Sequence, residues 1–173
     1  LKSKNASDVL QFAVRNDGYI SVGAAETADY DGSITIGTLS GFVHNLTHNT
    51  CVGYKSFGGE NCDSSATTFQ SLTTGYRNTS FGAKNMCNLS TGYSNATLGD
   101  EAGEYISTGF QNTALGKSAY QFPRAGKNNV TAVGNAALQN YKGSFSTAVG
   151  SFALVDDTSG IADAFGYLAG AIC

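Results

Sequence analysis

Residues 72–82 read LTTGYRNTSFG, residues 89–99 read LSTGYSNATLG and residues 106–116 read ISTGFQNTALG. The three copies lie 17 residues apart, and each runs apolar, Ser or Thr, Thr, Gly, aromatic, variable, Asn, two small residues, apolar, Gly. A fixed period of this length means a solenoid, in which each turn of chain stacks on the one before. Solenoids of small and polar residues serve as shafts or display surfaces more often than as pockets built for chemistry.

The second half of the unit continues beyond these copies. Residues 129–138 read NVTAVGNAAL, residues 145–154 read FSTAVGSFAL and residues 161–169 read IADAFGYLA. Glycine closes every unit, at Gly82, Gly99, Gly116, Gly134, Gly150 and Gly166, and a second set (Gly75, Gly92, Gly109) lies inside the clean copies. A tight turn with φ > 0, where a side chain would clash, explains such a set. Weaker relatives end at Gly53, Gly37 and Gly23.

Working outward, residues 9–15 (VLQFAVR) and 19–22 predict two strands joined by a turn at Asn16, Asp17 and Gly18. Asp-Gly between apolar runs is a strong hairpin signal. Residues 1–48 thus form a β lead-in, with another strand at 34–37, and residues 49–173 form the repeat head. Two stretches break the period, at 54–70 and at 120–128, and both predict loops. The chain opens mid-pattern at Leu1 and stops at Cys173, which reads as an excised or processed fragment.

The expected class is all-β, a parallel solenoid. Alternation along each strand, with the large residue taken as inward, predicts an apolar ladder of Leu98, Leu115, Val133, Val149 and Phe165. Tyr76, Tyr93 and Phe110 predict a second ladder of stacked rings. A coil this thin buries few apolar side chains and leaves flat faces and edges open. Side-by-side packing of copies is the remedy, and three-fold symmetry is its simplest form.

Composition narrows the function. Charged residues are 13% of the chain against roughly 25% in globular proteins, while aromatics are 11%, which separates it from disordered chains. The net charge is −3 and the Lys and Arg are scattered, so no nucleic-acid partner is expected. No apolar run is long enough to span a bilayer as a helix. The four cysteines form no CxxC pair and the chain has two histidines, so neither a zinc site nor any other metal or cofactor is expected. Cys51 sits in a slot that is Ala in other units and reads as a buried Ala substitute; a Cys51–Cys62 disulfide is the alternative.

Catalytic constellations are weak. Glu60 with Asp63, and Asp100 with Glu101, are the carboxylate pairs a glycosidase would need, and both read as solvated loop charges. His44 and His48 have no nucleophile elbow to serve; Gly32-Ser33 and Gly143-Ser144 have the wrong context. No enzyme is expected. Asn-x-Ser/Thr occurs at Asn5, Asn45, Asn78, Asn88, Asn95 and Asn129; in the repeats, Asn78 and Asn95 read as turn or backbone-bonding residues. Binding candidates cluster on the two loops: Tyr54, Phe57, Glu60, Asp63 and Phe69 on the first, and Tyr120, Phe122, Arg124 and Lys127 on the second. An ice-binding face would need a regular Thr array, and Thr74, Thr91 and Thr108 supply three rungs.

The units NTALGKSA, TAVGNAAL and STAVGSFAL resemble the head repeats of trimeric autotransporter adhesins of the Yersinia-adhesin type. The opening LQFAVRNDGYISVG is similar to segments that precede such heads in phage tail fibres and related fibre tips. The resemblance spans about residues 9–23 and 49–172. It implies a left-handed parallel β-roll, an intertwined homotrimer, an extracellular place on a cell-surface, virion or phage-tail-like fibre, and adhesion to a host or prey glycan or protein receptor. The period of 16–17 and the two insertions depart from the adhesin pattern. An inert fibre spacer and, less favoured, a trimeric polysaccharide depolymerase are the other functions it leaves open.

Overall fold

Each closing glycine follows a three-residue strand, and those strands stack in parallel. The computed structural model describes residues 48–54, 74–123, 126–158 and 160–170, together with the backbone of four earlier strands. These earlier strands are β1 (Lys2–Lys4), β2 (Leu10–Val14), β3 (Ile20–Val22) and β4 (Ile34–Ile36). Then come β5 (Thr50–Val52), β6 (Thr79–Phe81), β7 (Ala96–Leu98), β8 (Thr113–Leu115), β9 (Thr131–Val133), β10 (Thr147–Val149) and β11 (Asp163–Phe165). All eleven form one sheet in strict chain order. The expected strands β2 and β3 pair antiparallel, the turn read between them lies outside the described residues, and β1 adds antiparallel to β2. From β3 onward every pair is parallel, in register, and unbroken between β4 and β5. The described residues therefore make an all-β parallel solenoid, and they contain no helix.

The inward side of each strand is the opposite of the one expected. The middle residue faces in: Cys51, Ser80, Thr97, Ala114, Ala132, Ala148 and Ala164 are buried. Leu98, Leu115 and Phe165 face out, at 56%, 37% and 71% exposure. The interior is narrow, and its large residues come from the opposite wall: Met86, Leu89, Ile106, Tyr120, Leu138, Tyr141 and Leu154. With those side chains filling the coil, only small residues fit beneath the strands at the packing density of a protein core.

The backbone of each turn kinks into the left-handed region at repeated places. The closing glycines Gly82, Gly99, Gly116, Gly134, Gly150 and Gly166 have φ between 126 and 143. Two residues later Lys84, Glu101, Ser118, Ala136, Phe152 and Leu168 have φ between 51 and 59. Each kink aims an N–H along the solenoid axis: Glu101 donates to the Ala83 carbonyl at 2.9 Å and Ser118 to the Asp100 carbonyl at 2.8 Å. The repeated inter-coil hydrogen bonds offset the steric cost, about 1–2 kcal/mol per residue, of holding L-residues in that conformation.

A ladder of buried asparagines runs through the clean repeats. Asn49, Asn78, Asn95 and Asn112 are each at most 1% exposed. The Asn78 Oδ1 accepts from the Asn95 backbone N–H at 3.0 Å and from the Asn95 Nδ2 at 3.1 Å. The Asn95 Nδ2 also donates to the Gly109 carbonyl at 2.8 Å. The Asn95 Oδ1 accepts from Asn112 in the same two ways, both at 3.0 Å. The next coil puts Val130 in this slot, and its N–H donates to the Asn112 Oδ1 at 3.1 Å, closing the ladder. This is the structural role read for Asn78 and Asn95 in the sequence.

The aromatic ladder is also present. Tyr76, Tyr93 and Phe110 stack with centroids 4.9 and 4.8 Å apart and planes within 3° of parallel. Those centroid distances exceed the contact distance of about 3.5–4.0 Å, so the rings are offset. The Arg77 guanidinium lies 5.8 Å from the Tyr76 ring centroid, within cation–π range.

Tyr120 departs from expectation. Read as a residue of the second surface loop, it is fully buried in the core. Its coil puts Pro123 where others carry Leu89, Ile106 or Tyr141, and Tyr120 occupies the interior of that rung. Its hydroxyl has no hydrogen-bond partner among the described residues, and burial raises its pKa well above the ordinary tyrosine value. An unpartnered buried hydroxyl is costly, so Tyr120→Phe is expected to stabilise the fold by about 1 kcal/mol. Thermal denaturation checks this, and a destabilised variant would mean the hydroxyl has a partner.

Candidate functional site

Surface chemistry is what remains once the core is accounted for, and among the described residues the strand side carries a continuous outward apolar row. Along one row the outward residues are Val52, Phe81, Leu98, Leu115, Val133, Val149 and Phe165, in register from β5 to β11. Two residues earlier in each strand a polar row runs beside it: Thr50, Thr79, Thr113, Thr131 and Thr147, with Ala96 and Asp163 at the other two rungs. Parallel pairing places like beside like about 4.8 Å apart. This Thr row is longer than the expected one at Thr74, Thr91 and Thr108, which is exposed on a different side. Contiguous apolar surface of this kind marks an interaction site in soluble proteins.

The loop candidates separate. Tyr54 is exposed, at the corner after β5. Phe122 is 41% exposed and stacks on Tyr105, with centroids 5.0 Å apart. Tyr105 was missed in the sequence because its neighbour in the stack, 17 residues on, falls where the period breaks. Lys127 is half-buried, and its carbonyl accepts from the Asn112 Nδ2 at 2.9 Å. Phe57, Glu60, Asp63, Phe69 and Arg124 lie outside the described residues, as does His44. In the stacked pairs the facing ring surfaces cover one another.

Glu101 and Glu104 are tied into structure, while Asp100 is exposed. Glu101 pairs with Lys84 at 3.7 Å and accepts from Ser118 and Gln121. Glu104 is 4% exposed and accepts from the Gln121 Nε2 at 2.6 Å. Gln121 in turn accepts from Gln139 at 2.8 Å. Burial raises the pKa of Glu104, and the Glu101 and Asp100 charges add to the rise, while the Gln121 hydrogen bond and Lys84 oppose it. A raised folded-state pKa means the folded chain holds this proton more tightly than the unfolded one. Stability therefore falls as pH rises from the ordinary glutamate value of 4.5 through the raised one. Glu104→Gln removes that decline and extends the Gln121–Gln139 row. It is expected to stabilise the chain at pH 7 by about 1 kcal/mol, with little change at pH 4. Melting curves at the two pH values check it.

Of the two described cysteines, Cys51 is buried in its Ala-like slot and is in no disulfide, and Cys87 is disulfide-bonded. The Cys51–Cys62 pairing weighed as an alternative is not made in the structure, and Cys62 lies outside the described residues. Among the described residues no group of three or more His, Cys, Asp and Glu is placed to hold a metal. Ser144, beside Gly143, accepts from the Asn128 N–H at 3.1 Å in an ordinary inter-coil contact. Among the described residues no helix is long and apolar enough to cross a membrane. Family models, curated proteins and solved structures were all compared with the chain, and none of them matches it.

Proposed function

We propose that this chain forms the head or tip of a homotrimeric surface fibre, a left-handed β-roll that adheres to a cell-surface glycan through three equivalent weak sites. The observation that carries the reading is the outward apolar row from Val52 to Phe165. A lone chain leaves Leu98 and Phe165 more than half exposed, and three copies around an axis cover such a row along its whole length. The disulfide at Cys87 fits a chain that works in an oxidising, extracellular setting. Linking three weak sites on one rigid body raises avidity by mass action alone.

Tyr54 and Phe122 are the exposed members of the candidate contact set, and Phe57, Glu60, Asp63, Phe69 and Arg124 complete it in sequence. The experiment is a glycan array probed with the purified protein, beside Phe122→Ala and a version shortened across residues 55–69. Binding to one sugar class, lost in either variant, supports the adhesive reading. Silence on every glycan favours the second reading, an inert spacer. That reading draws on the described aromatics, whose facing ring surfaces are already taken up by stacking on one another.

A further inference from the structure

Six Asn-x-Ser/Thr triplets occur in the chain, and four of them lie in described residues. Burial sorts those four. The Asn78 and Asn95 side chains are sealed in the hydrogen-bonded ladder, each with its Nδ2 donating to two acceptors. Asn88 is half-buried, and its Nδ2 donates to the Glu104 carbonyl at 3.1 Å. Asn129 differs from all three. It is exposed, on a bend with φ 57 that Asn tolerates better than most residues. Its neighbours are fixed: the Asn128 Oδ1 accepts from the Phe110 N–H at 2.9 Å and the Val130 N–H is held by Asn112. The Asn129 N–H donates to the Phe110 carbonyl, so the backbone is anchored while the side chain reaches solvent.

We propose that Asn129 is an acceptor for N-linked glycan, and that Asn78 and Asn95, with the same triplet, are closed to it in the folded chain. The inference stands apart from the fibre reading. In the transfer, the amide nitrogen of Asn129 bonds to C1 of a lipid-diphosphate-linked oligosaccharide. The C1–O bond to the diphosphate breaks, the lipid diphosphate leaves, and the amide loses one proton. A transferase of the secretory pathway catalyses the step with this lipid-linked donor as co-substrate, and no oxidant or reductant is needed. A glycan is bulky and must lie at the surface. At Asn129 it projects into solvent; at Asn78 or Asn95 it would occupy the space of the ladder and replace hydrogen bonds that join three coils.

The test is secretion of the full chain from a eukaryotic cell, with glycan sites mapped by mass spectrometry on the protease-resistant, folded fraction. A second version carries Ser80→Ala and Thr97→Ala. These changes erase both ladder triplets, keep both asparagines, and place at β6 and β7 the Ala already present in β8, β9 and β10. It secures a folded fraction even if modification at Asn78 or Asn95 blocks folding of the parent. Glycan at Asn129 in the folded fraction, lost in Asn129→Gln, with Asn78 and Asn95 bare, is the expected result. A bare Asn129 in the folded double variant, or glycan on Asn78 or Asn95 in folded parent, overturns the proposal.

Discussion

Asn95→Ala is expected to destabilise the chain by about 3–5 kcal/mol, because it leaves two or more buried polar groups unsatisfied at about 1–3 kcal/mol each. The side chain joins three coils. Its removal leaves the Gly109 carbonyl without its 2.8 Å donor and strips the Asn112 N–H and Nδ2 of the acceptor they share. Each buried polar group left unpartnered costs about 1–3 kcal/mol, and no solvent reaches this slot to replace what is lost. Asn135 is the control: exposed, with one long contact of 3.4 Å to the Lys117 carbonyl. Asn135→Ala is expected to stay within about 0.5 kcal/mol of the parent. Chemical denaturation of the three proteins checks the contrast, and equal stabilities would mean that the ladder is incidental.

Gly116→Ala carries the other large effect, through the backbone. A Cβ at this position would meet the Gly134 carbonyl oxygen at 2.5 Å and its carbon at 2.7 Å. Its φ of 131 is a conformation that side-chain-bearing residues rarely adopt. The obstacle is the backbone of the next coil, itself in a ladder, so relief requires separating two coils. A loss of more than about 4 kcal/mol is expected, which belongs to the exceptional class of single substitutions. Gln111 shows the opposite sign of the same physics. It is exposed with φ 57, and Gln111→Gly is expected to relieve part of the left-handed cost of about 1–2 kcal/mol. Thermal melts of both variants check the pair.

The repeat made the solenoid legible because like residues had to stack: glycines on glycines, asparagines on asparagines, Tyr76 on Tyr93 on Phe110. Those ladders are sequence identities turned into contacts. The inward face was not legible. Alternation in a three-residue strand such as Thr113–Leu115 says that Ala114 opposes its neighbours, without saying which side is core. The answer lay in Met86, Leu89, Leu138 and Tyr141 on the far wall, which take the interior volume and leave room only for Ala, Ser, Thr or Cys. Lys84, Glu101 and Phe152 share one left-handed kink yet have no chemistry in common, so no residue type announces it. Tyr120 read as a loop residue because Pro123 disguised the coil around it. Of the candidate contacts, Tyr54 and Phe122 are exposed as read, while Tyr105 became visible only through its stacking on Phe122.

The outward row from Val52 to Phe165 is the surface that the proposed trimer would cover. The most direct measurement is the mass of the purified chain in solution by sedimentation, beside a version with Leu115→Lys and Val149→Lys. Both positions point out of the sheet, so the substitutions leave the interior of the coil unchanged. The account predicts about three times the chain mass of 17.9 kDa for the parent and a single chain mass for the variant. A parent that sediments as a folded monomer with its apolar row in water would contradict it.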